Sequence, residues 1–359
     1  MFLARAKGWI GIDLGTSAVK LAQVEQIAGQ YRLARARIVR RAPGGEGNGS
    51  AGAAAQWWAD VFRRESLRDG FAGRRAACVL SASETDLRAM NLPEGTDAER
   101  RAMLANEMET IFAGNSGRRA FDFWDTRRQA AAGESALENV NALSVAENDV
   151  ASVVASLTRS GLFCEVLDGL PLALARAVGM VSAPPPGVPV AALDWGSTSA
   201  TFSIVCDEVP VFTRHLRDCG YSALPASVVE ALGLPVEDAE QLLATHGLCD
   251  PARPDDPLDD VQEVLTDVTA EALGNVVSRL DKTLAYPELH RSRLLPERIW
   301  LFGGGATVRN LPAILSARIG LPVEAWRLPW GDSPGVTGPL PPMEILGTAA
   351  ALSALAWLL

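Results

Sequence analysis

A chain of 359 residues, 48% hydrophobic and 21% charged, has the composition of a globular protein long enough for two cores. Its 33 basic and 43 acidic residues leave a net charge of −10, which argues against nucleic acid, whose phosphates demand a basic face. Five cysteines without a C-x-x-C pair, and His215, His246 and His290 far apart, point to neither a disulfide framework nor a zinc site and fit a reducing cytoplasm.

In chain order, Met1 to Lys7 shows no signal-peptide pattern and leads straight into three strands between Trp9 and about Arg41, with Ala28-Gly29-Gln30 as a hairpin turn. Arg41 to Ser50 is too rich in glycine and too poor in apolar residues to pack, and reads as a loop. Trp57, Trp58, Val61 and Phe62 recur at helical spacing and are expected in a core. Arg75 to Leu80 reads as a strand, and Thr85 to Pro93 as another that the proline closes. Thr96 with Glu99 predicts a capped helix to about Phe112, whose Glu99, Glu107 and Glu109 form a solvated face. A strand at Asn139 to Val145, a helix at Glu147 to Ser160, a strand at Phe163 to Leu167 and a helix at Pro171 to Met180 follow.

Ala183-Pro184-Pro185-Pro186-Gly187 suits neither helix nor sheet and is the best boundary in the chain. After it come strands like those at the start, then helices near Pro225 to Leu232 and Pro235 to Thr245. Asp250 to Pro257 is a loop, and a long amphipathic helix runs from about Leu258 to Ala285, stopped by Pro287. Arg298 to Phe302 reads as a strand, followed by a triple glycine, a helix to Ile319 and a last strand; Pro334 to Pro342 is a linker. The uncharged stretch Ile345 to Leu359 is shorter than the roughly 20 residues a membrane span needs. It lacks the basic face of a membrane-surface helix, and is expected to be buried.

One pattern occurs twice. Ile10-Gly11-Ile12-Asp13-Leu14-Gly15-Thr16-Ser17 and Ala191-Ala192-Leu193-Asp194-Trp195-Gly196-Ser197-Thr198 are each an apolar strand that reaches an Asp and turns at a glycine and hydroxyl residues. A third glycine-rich turn, Gly303-Gly304-Gly305, follows the strand Ile299 to Phe302. Such turns expose backbone N–H groups that suit phosphate oxygens. An Asp at each strand end suits a hydrated Mg²⁺, which keeps its waters and takes one or two carboxylates plus phosphates. The trio therefore points to a nucleotide clamp. Asp13 and Asp194 are the candidates for metal-bound water, and Gly15, Thr16, Ser17, Gly196, Ser197 and Thr198 for the phosphates. Gly303, Gly304 and Gly305 are candidates for the adenosine side. Lys20 is a candidate phosphate contact, although strand alternation alone allows it an exposed face as well. The competing reading is that each Asp caps its own turn and each glycine only tightens one.

These turns, in this order and spacing, resemble the phosphate-1, phosphate-2 and adenosine motifs of the actin, heat-shock-chaperone and sugar-kinase superfamily. Within it the chain is similar to the type IV pilus assembly protein PilM family, itself similar to FtsA. The likeness rests on Gly11 to Val24, Gly233 to Leu242, Leu301 to Leu315 and Glu344 to Leu355, and is weakest over about 40–55 and 110–135. It implies an α/β two-lobed actin-like fold of duplicated ribonuclease-H-like type, with a first lobe at 1–182 carrying an inserted small α+β subdomain at about 84–165. A second lobe at 188–334 and a closing helix at 342–359 complete it. It also implies ATP with Mg²⁺ as cofactor and a cytoplasmic place on the inner-membrane platform of type IV pili. The partners it implies are a PilN-like N-terminal peptide, held between the first lobe and the subdomain, other platform proteins and a possible second copy of the chain.

Three departures qualify that expectation. Glu240 matches a ribose contact, but Leu243 stands where the family carries a lysine, with Lys282 as the only substitute in view. Leu170 stands where relatives carry an acid near the γ-phosphate, so binding with slow or negligible hydrolysis is expected. Leu170 also argues against a small-molecule kinase. An FtsA-like filament wants a basic amphipathic tail, and a GspL-like secretion component wants a spanning helix. The stretch Ile111 to Ser116 departs from the aromatic-Ile-Pro-Phe element of relatives, which alters the expected peptide groove.

Overall fold

Short β-branched and apolar runs broken by glycine turns build three sheets in the computed structural model, which describes residues 6–41, 53–64, 70–112, 117–126, 139–251, 260–286, 294–332 and 340–359. The first sheet has the order β1 (Ala6–Lys7), β3 (Ala18–Ile27), β2 (Ile10–Leu14), β5 (Arg75–Leu80), β9 (Phe163–Asp168), with β4 (Gln30–Arg40) also on β3. β2 and β3 form an antiparallel hairpin, whereas β5 and β9 run parallel to β2. The second sheet has the order β12 (Val209–Arg217), β11 (Ser199–Cys206), β10 (Val190–Trp195), β13 (Ile299–Gly303), β14 (Val323–Ala325). It repeats the logic of the first: β10 and β11 are an antiparallel hairpin, and β13 runs parallel to β10.

The third sheet is antiparallel, in the order β6 (Asp86–Met90), β8 (Val140–Ala146), β7 (Arg119–Asp125). β7 was not expected from the sequence. Its alternation of Arg119, Phe121, Phe123 and Asp125 mixes charge with aromatics on one face, so no clean apolar period marks it. That face is completed by arginines lying on rings, Arg119 on Phe112 at 4.1 Å and Arg100 on Phe123 at 5.3 Å.

Nine helices are described: α1 (Ala53–Arg64), α2 (Asp97–Ile111), α3 (Glu147–Arg159), α4 (Leu170–Val181), α5 (Ala223–Leu232), α6 (Val236–Thr245), α7 (Asp260–Leu284), α8 (Leu311–Ile319) and α9 (Gly347–Ala354). α2 begins with the expected capping box: the Thr96 hydroxyl accepts from the Glu99 amide at 3.3 Å, and the Glu99 carboxylate accepts from the Thr96 amide at 2.8 Å. α4 and α9 are apolar nearly all round because both are covered on several sides. They sit where the lobes meet. One buried cluster joins Ala22 and Val24 of β3, Val79 of β5, Leu174 and Ala177 of α4, Ala192 and Phe302 of the second sheet, and Ala350 and Leu352 of α9.

The second lobe has a separate core beneath α5 to α8, and the third sheet has a small one around Leu104, Met108, Val140 and Ala142. α9 lies directly on β2: a Cβ at Gly11 would come within 1.8 Å of the Ala349 carbonyl. Ser353 continues the seam, donating to the Trp9 carbonyl at 2.5 Å and accepting from the Val24 amide at 2.9 Å. The end of the chain is thus strapped across the strand that carries Asp13. Among the described residues no helix is long and apolar enough to cross a membrane. Most of the predicted loop at 41–50, most of that at 250–257, Pro287, His290 and most of the linker at 334–342 fall outside the described residues.

Candidate functional site

The two hairpins face one another across the junction of the lobes. The turn Gly15-Thr16-Ser17 joins β2 to β3, and Gly196-Ser197-Thr198 joins β10 to β11. They touch at their tips, where the Thr16 and Thr198 hydroxyl oxygens lie 3.2 Å apart although 182 positions separate them. Each turn is held from behind by its carbonyls. The Trp58 indole of α1 donates to the Gly15 carbonyl at 3.0 Å, and the Arg41 amide to the Ser17 carbonyl at 2.8 Å. The Tyr221 amide donates to the Gly196 carbonyl at 2.8 Å, and the Ser222 amide to the Ser197 carbonyl at 3.0 Å. In a planar trans peptide the N–H opposes the preceding C=O. The amides of Thr16, Ser197 and Thr198 therefore point away from those supports, an arrangement that suits an anion.

Behind the turns lie the charges. Asp13, near the end of β2 and only 6% exposed, accepts from the Lys20 ammonium at 3.0 Å and from the Thr348 hydroxyl of α9 at 2.6 Å, both on Oδ2. Lys20 is its cross-strand partner in the hairpin, so the side chain lies on the same face as Asp13, mostly buried, and not on the outer face. Burial works to lower the Lys20 pKa, but the carboxylates of Asp13 and Asp194 together outweigh it, and the group sits above the ordinary lysine value. Asp194 is partly exposed at its rim. Burial nevertheless pushes its carboxyl up to about 6, against the pull of Lys20 and with the Asp13 charge adding to the rise. One ammonium thus serves two carboxylates from opposite lobes.

The triple glycine lies beside Asp194. Gly303 has φ +80°, and a Cβ there would come within 2.8 Å of Asp194 Oδ1 and 2.6 Å of the Trp195 carbonyl. Gly304 and Gly305 begin a short 3₁₀ turn, Gly304–Thr307, pressed against two rings: added Cβ atoms would lie 2.6 Å from the Tyr221 ring and 2.5 Å from that of Trp195. Close packing alone is therefore a sufficient reason for both glycines. Burial pushes the Tyr221 hydroxyl up to about 12, and the Glu240 charge adds to it.

Glu240, on α6, does not stand alone in the cleft. The Arg40 guanidinium at the end of β4 meets its carboxylate at 2.6 Å, bridging the lobes at the cleft's mouth. Arg40 is mostly exposed, so this pair contributes little to stability. Arg40→Ala is expected to change the unfolding free energy by less than about 1 kcal/mol, and salt should erase even that difference in urea titrations. Leu243 is fully buried in the second-lobe core and Lys282 is exposed on α7, so neither places a cation beside Glu240 in this arrangement. Leu170 is 6% exposed and packed in the central cluster, and Asp168 is neutralised by Arg176 and bonded to the Gly169 amide at 2.9 Å. Neither supplies a free base.

Trp58, Thr348, Arg40 and Tyr221 were not anticipated as parts of this site. Trp58 was expected in the core, and its ring is buried there; its N–H reaches the turn. A cavity of about 560 Å³ opens between α5 and α7, bounded by Asp218, Cys219 and Gly220, and it contains none of the predicted residues. Among the described residues no three His, Cys, Asp or Glu side chains cluster to hold a metal by themselves.

Residues 11–327 match the family described as type IV pilus assembly protein PilM. Among solved structures the chain is similar to a PilM–PilN type IV pilus biogenesis complex, at 20% identity and TM-score 0.70, covering 97% of this chain and 98% of that one. It is also similar to the ethanolamine utilization protein EutJ of Carboxydothermus hydrogenoformans, at 12% identity and TM-score 0.54, over 97% and 89% of the two chains. A third is MreB5 of Spiroplasma citri bound to AMPPNP, at 12% identity and TM-score 0.50, over 98% and 96%. No curated protein matches. The two-lobed actin-like fold implied by the family resemblance is the fold the chain adopts.

Proposed function

The chain belongs to the type IV pilus assembly protein PilM family, and from that premise we propose that it is a nucleotide-binding component of the pilus assembly platform. The observation that carries this reading is the Asp13–Lys20–Asp194 group beneath two touching hairpin turns. ATP would lie with its phosphates against Gly15, Thr16, Ser17, Gly196, Ser197 and Thr198, its ribose toward Glu240 and its base toward Gly303, Gly304 and Gly305. The donor set suits a hydrated Mg²⁺: burial leaves Asp194 short of positive charge, and a metal arriving with a polyphosphate would supply it through Asp13 and Asp194. The metal would neutralise phosphate charge. Lys20 is placed to take a phosphate oxygen as a point charge. With Leu170 in the wall and Asp168 paired, binding without rapid hydrolysis follows.

The partner side of the reading rests on a solved relative described as a PilM–PilN complex. A PilN-like N-terminal peptide would add to the groove between the first lobe and the inserted subdomain, where main-chain bonding and side-chain pockets share the work. That would place the protein in the cytoplasm, held at the inner membrane through its partners. Residues 113–116 of the departing stretch lie outside the described residues. Titration calorimetry with MgATP, and then with the N-terminal cytoplasmic peptide of a PilN-like protein, tests both halves. Saturable binding of each is expected. A chain that takes up the peptide but no MgATP would be a nucleotide-free scaffold, and the reading would fall.

A further inference from the structure

The third sheet touches both lobes, the first through β8 and the second through β8 and β7 together. On β8, Asn141 and Leu143 are two residues apart and so point the same way. Leu143 meets the first lobe where α4 begins: a Cβ at Gly169 would lie 2.5 Å from its Cδ2. Asn141 meets the second lobe instead, its amide donating to the Pro210 carbonyl at 3.1 Å. Trp124 of β7 donates its indole N–H to the same carbonyl at 2.8 Å. Asn141 is 5% exposed, so its amide has little water to turn to if that bond breaks.

Pro210 lies on β12, the edge strand of the second sheet. β12 is bonded to β11 from Arg217 opposite Ser199 to Val209 opposite Cys206, and Ser199 directly follows the turn Gly196-Ser197-Thr198. A movement of that turn relative to the first lobe is therefore passed through the five-stranded sheet to Pro210, which lies opposite Val205 beside the one register shift between β11 and β12. The third sheet, fixed at Gly169, must then follow the second lobe or release it.

We propose that Trp124 and Asn141 form a clasp on the Pro210 carbonyl through which the inserted subdomain senses whether the cleft holds a magnesium nucleotide. The inference rests on the nucleotide-binding reading of the cleft and gives that site a regulatory output. The surface that a platform partner would engage then differs between the empty and loaded protein, because a ligand shifts an equilibrium only through contacts that differ between states.

Hydrogen exchange of the full chain with and without MgAMPPNP tests the clasp, using wild type, Trp124→Phe and the double variant Trp124→Phe/Asn141→Leu. In wild type the nucleotide should slow exchange about fivefold or more in both the β10–β11 hairpin and strands β7 and β8. In either variant the hairpin should still respond and β7 and β8 should not. The single variant keeps the test open if the double variant does not fold. Equal responses of β7 and β8 in wild type and Trp124→Phe would overturn the clasp, as would wild-type strands indifferent to a nucleotide that protects the hairpin. A hairpin that never responds removes the nucleotide reading itself, and the clasp's role with it.

Discussion

Asp194→Asn is expected to stabilise the nucleotide-free protein at pH 8 while removing its metal-dependent nucleotide binding. The Asp194 carboxyl is pushed up to about 6 by burial, well above the value of about 3.9 that an aspartate has in an unfolded chain. A folded pKa above the unfolded one means that the native state holds its proton more tightly. The cost of ionising the group is thus absent below pH about 4, grows between pH about 4 and 6, and is full above that. It amounts to about 2–3 kcal/mol once the partly open rim is allowed for. Asparagine has no charge to bury, so urea unfolding at pH 8 should show a gain of that order and at pH 4 almost none. The same change deletes a carboxylate that faces Lys20, and MgATP should no longer raise the melting temperature. A variant less stable than wild type at pH 8 would mean that Asp194 is a structural anchor of the second lobe and not a charge held in readiness.

Asp13→Ala is expected to act in the opposite sense on stability and the same sense on binding. Its Oδ2 accepts from both Lys20 and Thr348 inside a site that is nearly closed to water. Removing it leaves a buried ammonium with only the Asp194 charge to offset it and a hydroxyl on α9 without its acceptor. Breaking a buried pair from one side typically costs about 3–5 kcal/mol, and the remaining attraction of Asp194 places this case at about 3. MgATP at about 100 times its dissociation constant should add roughly 2.7 kcal/mol to wild type. Most of that gain should vanish in the variant. The double variant Asp13→Ala/Lys20→Met separates the two losses: if the pair acts as a unit, its cost should fall well below the sum of the costs of Asp13→Ala and Lys20→Met. Additive costs would place Lys20 outside the charge group.

How much of this was legible in the sequence follows from how local each feature is. The hairpins were legible, since an apolar strand, a glycine turn and a second strand lie within about twenty consecutive residues, and the repeat at Asp194 doubled the signal. The α2 capping box at Thr96 and Glu99 was readable for the same reason. Lys20 was only half readable. Strand alternation left its face open, and the register that sets it opposite Asp13 fixes the answer. Contacts between distant segments left no trace: Thr348 lies 335 positions from Asp13, and Arg40 lies 200 from Glu240. The three consecutive glycines read in sequence as the lining of a ligand, yet the rings of Tyr221 and Trp195 that crowd two of them come from elsewhere in the chain. β7 escaped because Arg119 and Asp125 interrupt its aromatic face, and those charges find partners only once the sheet and α2 are assembled.

Crystals grown with MnATP, examined at the manganese absorption edge, address the shared cleft most directly. A single anomalous peak between the carboxylates of Asp13 and Asp194, with the triphosphate spanning the turns at Thr16 and Thr198, is the predicted result. Saturating MnATP that leaves Lys20 paired with a metal-free Asp13, or a nucleotide lodged elsewhere such as between α5 and α7, would contradict it.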